Sequence, residues 1–202
     1  KSVDDLKIRS ISRQNEKIRI GYIGTVDFYR GFGNIIESLP FINSDIQFNI
    51  TGKVLLESFS HKIINILKEQ IKIGKVILNG SINPGELRYE INQNDYMLIT
   101  SSNDIVAKYY CAPLKFYDYL ACTKNIISPS APAYKNICEM NQINPYFYDH
   151  SDINSFIETI NQLDKKKNIL RDNARIMNYE QRAKKLLNIF KILIKTDFNR
   201  PK

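Results

Sequence analysis

Short continuous runs of hydrophobic residues alternate along the chain with segments of helical periodicity. Residues 18–24 and 46–51 are two such runs, rich in β-branched and aromatic residues, and they predict strands. Between them, residues 34–39 place apolar side chains on one face of a helix. Further strands are predicted at residues 76–78, 96–100, 125–128 and 146–148.

The segments between these strands carry helix signals. Apolar residues three and four positions apart predict helices at residues 63–71, 84–91, 113–121, 134–140, 151–163 and 181–196. Pro113 is expected in the first turn of its helix, and Ser151 at the N-cap of another. This alternation predicts an α/β fold, a doubly wound (Rossmann-like) sheet of about six parallel strands with helices on both faces. Ligands of such sheets bind at the carboxyl ends of the strands.

Composition and charge fit one globular domain with an anionic partner. The chain has 202 residues, of which 43% are hydrophobic and 25% charged. Its net charge of +8 favours nucleotide diphosphates, nucleic acid or an anionic membrane surface, and charge alone does not choose among them. We expect a linker or crossover segment at residues 1–17, the sheet domain at 18–180, and a C-terminal helix and tail at 181–202.

The sequence shows no metal-ligand spacing and no membrane-spanning run. Cys111, Cys122 and Cys138 form no CxxC pair, while His61 and His150 lie far apart and are expected at the surface. No apolar run approaches the roughly 20 residues that cross a bilayer. The chain begins with a polar segment and without methionine, so we expect a fragment. The odd number of widely spaced cysteines favours free thiols and a cytoplasmic protein. We expect it to bind no metal and no other cofactor.

The loop after the first predicted strand, residues 24–31, is one candidate site segment. Gly24 allows a close approach of the backbone to a ligand, Thr25 offers a hydroxyl, and Arg30 offers donors that match phosphate oxygens. The alternative is a plain turn with a surface arginine. The glycines form neither a dinucleotide-binding fingerprint nor a P-loop.

The loop after the third predicted strand, residues 80–84, is a second candidate. Its backbone, near Ser81 and Ile82, has room to admit a planar base. A simple turn between a strand and a helix explains the same residues equally well.

The most specific candidate is the helix start at residues 112–122. A helix N-terminus binds anions, and the amides of Leu114 and Lys115 lie in its first turn. A lysine there is unfavourable for the helix dipole unless an anion is bound. Asp118 lies on the same face and suits the two hydroxyls of a ribose. The alternative is a surface ion pair between Lys115 and Asp118.

Residues 113–127, P-L-K-F-Y-D-Y-L-A-C-T-K-N-I-I, resemble the P-x-K-x-x-E-Y-L-A-x-G-K-P-V-I stretch of GT-B glycosyltransferases. The resemblance is strongest to the retaining group 1 enzymes related to glycogen synthases and to capsule and lipopolysaccharide enzymes. Three other pieces occur in the family's order: the opening strand with Arg30-Gly31, residues 76–87, and residues 95–100.

The resemblance implies that this chain is the half that binds the activated sugar donor. Arg30 would touch the diphosphate, the amides of Leu114 and Lys115 would meet phosphate oxygens, and Asp118 would hold the ribose. The base would lie near Ser81 and Ile82. An N-terminal half, absent from this sequence, would bind the acceptor.

The sequence departs from the family's pattern in three features, which involve four positions. Thr25 stands where an arginine is common, Tyr110 replaces the first of two glutamates, and Asp118 shortens the second. Thr123 also replaces a glycine. Because the first glutamate commonly contacts the donor sugar, the resemblance leaves the sugar, the stereochemistry and the catalytic residues unassigned.

The leading hypothesis is transfer of a sugar from a nucleotide diphosphate sugar to a cell-surface glycan or lipid-linked acceptor, with peripheral contact to the inner face of the plasma membrane. This isolated fragment is expected to be inactive. A GT-B nucleotide-sugar epimerase or a phosphorylase is an alternative, although the carboxylates or cofactor lysine that they need are not evident. A basic nucleic-acid-binding module is another, and its aromatic residues near Lys108 fall mostly at the spacing of a helix core.

Overall fold

The fold is described from a computed structural model, which covers residues 17–102, 104–110, 113–122, 125–164, 183, 184, 187, 188 and 191. These residues contain one six-stranded sheet in the order β3-β2-β1-β4-β5-β6, in which every neighbouring pair is parallel. The strands are β1 Ile18–Ile23, β2 Ile46–Thr51, β3 Val76–Gly80, β4 Tyr96–Leu98, β5 Asn125–Pro129 and β6 Tyr146–Tyr148. The predicted α/β fold with a parallel sheet is confirmed.

Helices cover both faces of the sheet. The described helices are α1 Phe32–Ser38, α2 His61–Lys72, α3 Leu87–Asn92, α4 Ile105–Tyr110, α5 Leu114–Ala121, α6 Pro132–Met140 and α7 Ile153–Asn161. One hydrophobic cluster joins the sheet to α1, α2 and α7. A second joins it to α3, α5 and α6. The sheet is therefore buried between two helical layers, which explains why its central strands read as nearly continuous apolar runs.

A crevice opens between β1 and β4, where the strand order reverses. β1 pairs with β2 along its whole length but with β4 only through Ile20 and Gly21. Farther along β1, the N–H of Ile23 donates instead to the hydroxyl of Tyr119 on α5, at 3.1 Å. In open parallel sheets such a switch point, at the carboxyl ends of the strands, is where ligands bind.

Three glycines terminate the first three strands and bring their exit loops into contact. The N–H of Gly52 donates to the carbonyl of Gly80, and the N–H of Gly24 donates to the carbonyl of Thr51. Gly52 has a φ of +136°, and a Cβ there would lie 2.2 Å from the carbonyl oxygen of Gly24. Only glycine fits this position, because a side chain would collide with backbone atoms.

Some predicted boundaries were wrong. Pro113 is the N-cap of α5 and lies outside its first turn. The cap of α7 is Asp152, whose carboxylate accepts the N–H of Asn154, and it is not Ser151. Helix α4 was not predicted, because it is short and its large apolar residues are exposed, so they give no one-sided pattern.

The predicted limits of the domain are not decided by the described residues. Of the proposed linker at residues 1–17, only Lys17 is described, and most of the predicted helix at 181–196 lies outside the described part. Both boundaries stay predictions.

Candidate functional site

The first residues of α5 reach across the crevice to β1. The ammonium nitrogen of Lys115 donates to the hydroxyl of Tyr22 at 2.9 Å and lies 4.1 Å from the centroid of its ring. Tyr22 points into the core from β1 and is 1% exposed. Its own hydroxyl hydrogen goes to the carbonyl of Thr25, at 2.9 Å. A buried phenol therefore joins the start of α5 to the loop after β1.

Gly24 makes room for this contact. Its φ is +142°, and a Cβ added there would lie 2.9 Å from the ammonium nitrogen of Lys115 and 3.3 Å from the hydroxyl oxygen of Tyr22. The structure thus brings together three of the sequence-predicted residues, Gly24, Thr25 and Lys115. Thr25 contributes its backbone carbonyl to this contact, whereas the sequence predicts a role for its hydroxyl.

Arg30 ends a short 3-10 turn in the same loop. Asp27 holds it twice, by accepting the backbone N–H and the side-chain Nε–H of Arg30, each at 2.8 Å. The side chain of Arg30 is still 57% exposed, so this ion pair orients the guanidinium more than it stabilises the fold.

The electrostatics connect Arg30 to the Lys115 contact. Burial raises the pKa of the Tyr22 phenol, so its hydroxyl keeps the proton that it donates to Thr25. A hydrogen bond with Thr100 and the charge of Arg30 lower that pKa, and the charge of Asp27 raises it. The charge of Arg30 therefore acts on the same phenol that the ammonium of Lys115 contacts.

Asp118 lies in a separate cavity of about 300 Å³ between α5 and the segment that leads into α3. The cavity is lined by Pro84, Gly85, Leu87, Arg88, Ile91, Asp118, Ala121 and Cys122. Partial burial raises the pKa of the Asp118 carboxyl. Lys115 contacts Tyr22 from the first turn of α5, whereas Asp118 lines this cavity together with Ala121 and Cys122 at the other end of the helix, so the two side chains face different compartments.

The remaining predicted residues lie around these compartments. Leu114, the first residue of α5, is 58% exposed. Ser81 is exposed and Ile82 half-buried in the turn after β3. Neither lines the cavity of Asp118, which begins two positions later at Pro84.

A second cavity, of about 470 Å³, lies on the other side of the β1 loop. It is lined by Phe28, Tyr29, Gly31, Gly33, Asn34, Ser101, Ser102, Asp104, His150 and Ser151. His61 is exposed as expected, but the expectation that His150 lies at the surface was wrong, since its side chain is 11% exposed. His150 lies two positions after the end of β6, at the carboxyl edge of the sheet, which is the sequence signal that could have indicated this cavity.

The tyrosines near Lys108 divide into two groups. Tyr119, together with Phe116, is buried at the helix-core spacing that the sequence indicated. Tyr109 and Tyr110 are 49% and 80% exposed, which corrects the core expectation for these two. They belong to the short helix α4, whose Ile105 is also exposed.

Metal and membrane features are not found in the part of the chain that the structure describes. No group of three or more histidine, cysteine or acidic side chains there is placed to hold a metal ion. None of the described helices has the length and apolar character needed to cross a bilayer. The expectation that no cofactor is needed stays a prediction.

Known structures share this architecture, although no family model and no curated protein sequence matches the chain. Sucrose-phosphate synthase from Thermosynechococcus elongatus aligns with a TM-score of 0.66 at 15% identity, over 90% of this chain and 47% of that one. HepE from Anabaena in complex with UDP and glucose aligns at 0.56 and 12%, over 92% and 49%. The C-terminal domain of LpcC, a group 1 family glycosyl transferase from Francisella tularensis, aligns at 0.59 and 17%, over 85% and 87%.

The chain therefore has the fold of the GT-B glycosyltransferases. More particularly, it has the fold of their C-terminal domain. It spans about half the length of sucrose-phosphate synthase and of HepE, but 87% of the separate LpcC domain.

Proposed function

We propose that this chain is the donor-binding domain of a glycosyltransferase, which holds a nucleotide diphosphate sugar while the sugar passes to a cell-surface glycan or lipid-linked acceptor. One observation carries the proposal. Lys115, whose ammonium is held by Tyr22 of β1, and Asp118, three positions later, both belong to α5, the helix that contacts β1 at the switch point of a GT-B C-terminal fold. Because HepE was solved with UDP and glucose and has the same fold, a nucleotide sugar is the ligand class that suits these groups.

The two compartments suit the two parts of a nucleoside diphosphate. In the proposed arrangement the diphosphate lies over Gly24 between Lys115 and Arg30, where the missing side chain of Gly24 allows close approach. The ribose hydroxyls donate to the carboxylate of Asp118, and the base lies toward Ser81, Ile82 and the turn after them. The first amides of α5, beginning at Leu114, face the phosphate oxygens.

The proposed chemistry is transfer of a glycosyl group. A bond forms between an acceptor hydroxyl oxygen and the anomeric carbon of the sugar, while the bond from that carbon to the phosphate oxygen breaks. The nucleoside diphosphate leaves with the bonding electrons, and Lys115, Arg30 and the helix amides stabilise its growing negative charge. The proton of the acceptor hydroxyl goes either to a base in the acceptor-binding half or to the departing phosphate.

The proposed partner is an N-terminal acceptor-binding domain of the same protein. The comparison with HepE and sucrose-phosphate synthase, of which this chain covers 49% and 47%, supports that arrangement. The proposed place of action is the cytoplasmic side of the plasma membrane, because a chain of net charge +8 is attracted to an anionic surface that presents lipid-linked acceptors.

The test is a binding panel that contains nucleoside diphosphates of each base, inorganic pyrophosphate and a single-stranded oligonucleotide. Calorimetry is expected to show binding of at least one nucleoside diphosphate, weaker binding of pyrophosphate, and no retention of the oligonucleotide. Binding of the oligonucleotide without any nucleoside diphosphate would favour the nucleic-acid-binding module and end the proposal.

A further inference from the structure

Tyr22 joins two of the predicted site segments, although the sequence pattern assigned it no role beyond its place in the first predicted strand. Its hydroxyl has one hydrogen, and that hydrogen is donated to the carbonyl of Thr25 at 2.9 Å. The oxygen therefore meets the ammonium of Lys115, also at 2.9 Å, as an acceptor. The direction of donation is fixed because an ammonium cannot accept a hydrogen bond, and burial, which raises the pKa of the phenol, keeps the phenol protonated.

We propose that Tyr22 is a positioning residue that holds the ammonium of Lys115 over Gly24 for the diphosphate, so that the conformation of the β1 loop and the placement of the cation are coupled. The inference rests on the proposed function, which it deepens by naming the group that presents the cation. Tyr22 itself is buried and touches no ligand in this arrangement; it acts through Lys115.

The physical need for such a residue follows from the lysine side chain. A lysine has four rotatable side-chain bonds, and fixing it in one rotamer costs up to about 2 kcal/mol of conformational entropy. Tyr22 offsets that cost in the free protein in two ways, since its hydroxyl accepts a hydrogen bond and its ring attracts the cation at 4.1 Å. A ligand then meets a cation that is already in place.

Gly24 is the second residue on which this placement of the ammonium depends. A side chain at this position would compete with the ammonium for the same space, because its Cβ would lie 2.9 Å from Nζ. A side chain at Gly24 would therefore displace the ammonium from its place against Tyr22.

The test removes the hydroxyl and keeps the ring. Tyr22→Phe is expected to weaken binding of pyrophosphate and of UDP by about three- to tenfold, because the ligand must then meet part of the entropy cost of ordering Lys115, and to leave the weak binding of uridine unchanged. Tyr148→Phe is the matched control. Tyr148 is equally buried and its hydroxyl donates to the carbonyl of Ile99 at 2.9 Å, but no cation contacts it among the interactions found in the described residues. This control is expected to lose stability without losing pyrophosphate affinity.

A double-mutant cycle shows whether Tyr22 acts through the lysine. In a Lys115→Ala background, Tyr22→Phe is expected to change pyrophosphate affinity less than twofold, because the group that it positions is gone. The nitrogen resonance of the Lys115 ammonium, identified by its loss in Lys115→Ala, is expected to shift in Tyr22→Phe and to stay in place in Tyr148→Phe.

The outcomes separate this inference from the proposal beneath it. If wild-type protein binds neither UDP nor any other nucleoside diphosphate, the proposed function fails and this inference fails with it. If wild type binds and Tyr22→Phe binds equally well, or if the two substitutions are additive, only the positioning role of Tyr22 is overturned.

Discussion

At the scale of single residues, the site depends on a lysine in an electrostatically unfavourable place. The N-terminal end of a helix carries partial positive charge, so Lys115 in the first turn of α5 is mildly destabilising there. The hydrogen bond and ring contact with Tyr22 compensate for this effect locally. A cation that is retained at a helix N-terminus and fixed by a buried partner is well placed to meet an anion.

Lys115→Ala is expected to weaken diphosphate binding by about 1–3 kcal/mol, since it removes a hydrogen bond to a charged group. The loss is expected to shrink at high salt, because screening already weakens the wild-type interaction. Calorimetric titration at two ionic strengths measures both effects. Lys68→Ala, on an exposed face of α2, removes the same formal charge away from the site and serves as the control. An equal loss of affinity in both variants would show that Lys115 acts only through its contribution to the net charge.

Asp118→Asn is expected to weaken binding of a nucleoside diphosphate while leaving pyrophosphate nearly unaffected, because it alters the ribose contact alone. The pH dependence gives a second readout. Partial burial raises the pKa of this carboxyl, so the accepting carboxylate is lost at a higher pH than for an ordinary aspartate as the solution is acidified. Affinity should fall correspondingly early in the wild type and stay flat in Asp118→Asn. Equal affinities of the two proteins for the nucleoside diphosphate would end the ribose assignment.

At the scale of elements, the strand-exit loops are held together through glycines that admit no side chain. Gly52 after β2 approaches the carbonyl of Gly24 after β1, and its N–H donates to Gly80 at the end of β3. The loop after β1, which contains Gly24 and Thr25, is therefore held in place by backbone contacts with the loop after β2. The shape of the sheet's carboxyl edge, where we propose that the ligand binds, depends on backbone packing as well as on side chains.

Gly52→Ala is expected to destabilise the fold by about 2–4 kcal/mol, since a Cβ would meet a backbone oxygen at 2.2 Å and the residue has a φ of +136°. Urea unfolding measures the change. Gly85→Ala is the control, because a Cβ at Gly85 meets no atom within 4 Å. It should alter stability by less than about 0.5 kcal/mol. A neutral Gly52→Ala would show that the exit loops relax independently.

At the scale of the whole molecule, the proposed function assigns to this chain one side of a cleft between two domains, since it covers about half the length of HepE and of sucrose-phosphate synthase. A binding surface on one domain is sufficient to hold a nucleotide, whereas transfer needs a second surface that excludes water and aligns the acceptor. We therefore expect this chain to bind a nucleotide without catalysing transfer of a sugar.

The isolated chain is expected to bind nucleoside diphosphate but to transfer no sugar, and joining it to its acceptor-binding half should restore transfer. Release of labelled sugar from the nucleotide onto a glycan acceptor is the measurement. Sustained turnover by these 202 residues alone would mean that they are a complete enzyme.

The sequence by itself determined the alternation of strands and helices, the parallel sheet and the loops in which to look for a site. These features depend on local periodicity and on the rule that parallel strands end at one edge. It did not reveal α4 or the proposed role of Tyr22, since short exposed helices give no one-sided pattern and an inward-facing strand residue carries no distinguishing local signal.

Only the tertiary structure decided which side chains meet. Lys115 contacts Tyr22, which is 93 positions away in sequence, and Asp118 lines a cavity with Arg88. Such pairings are fixed by the divergence of β1 from β4 and by the packing of α5 across that crevice. No local pattern encodes this separation of strands, because it arises when both helical layers and the sheet pack together.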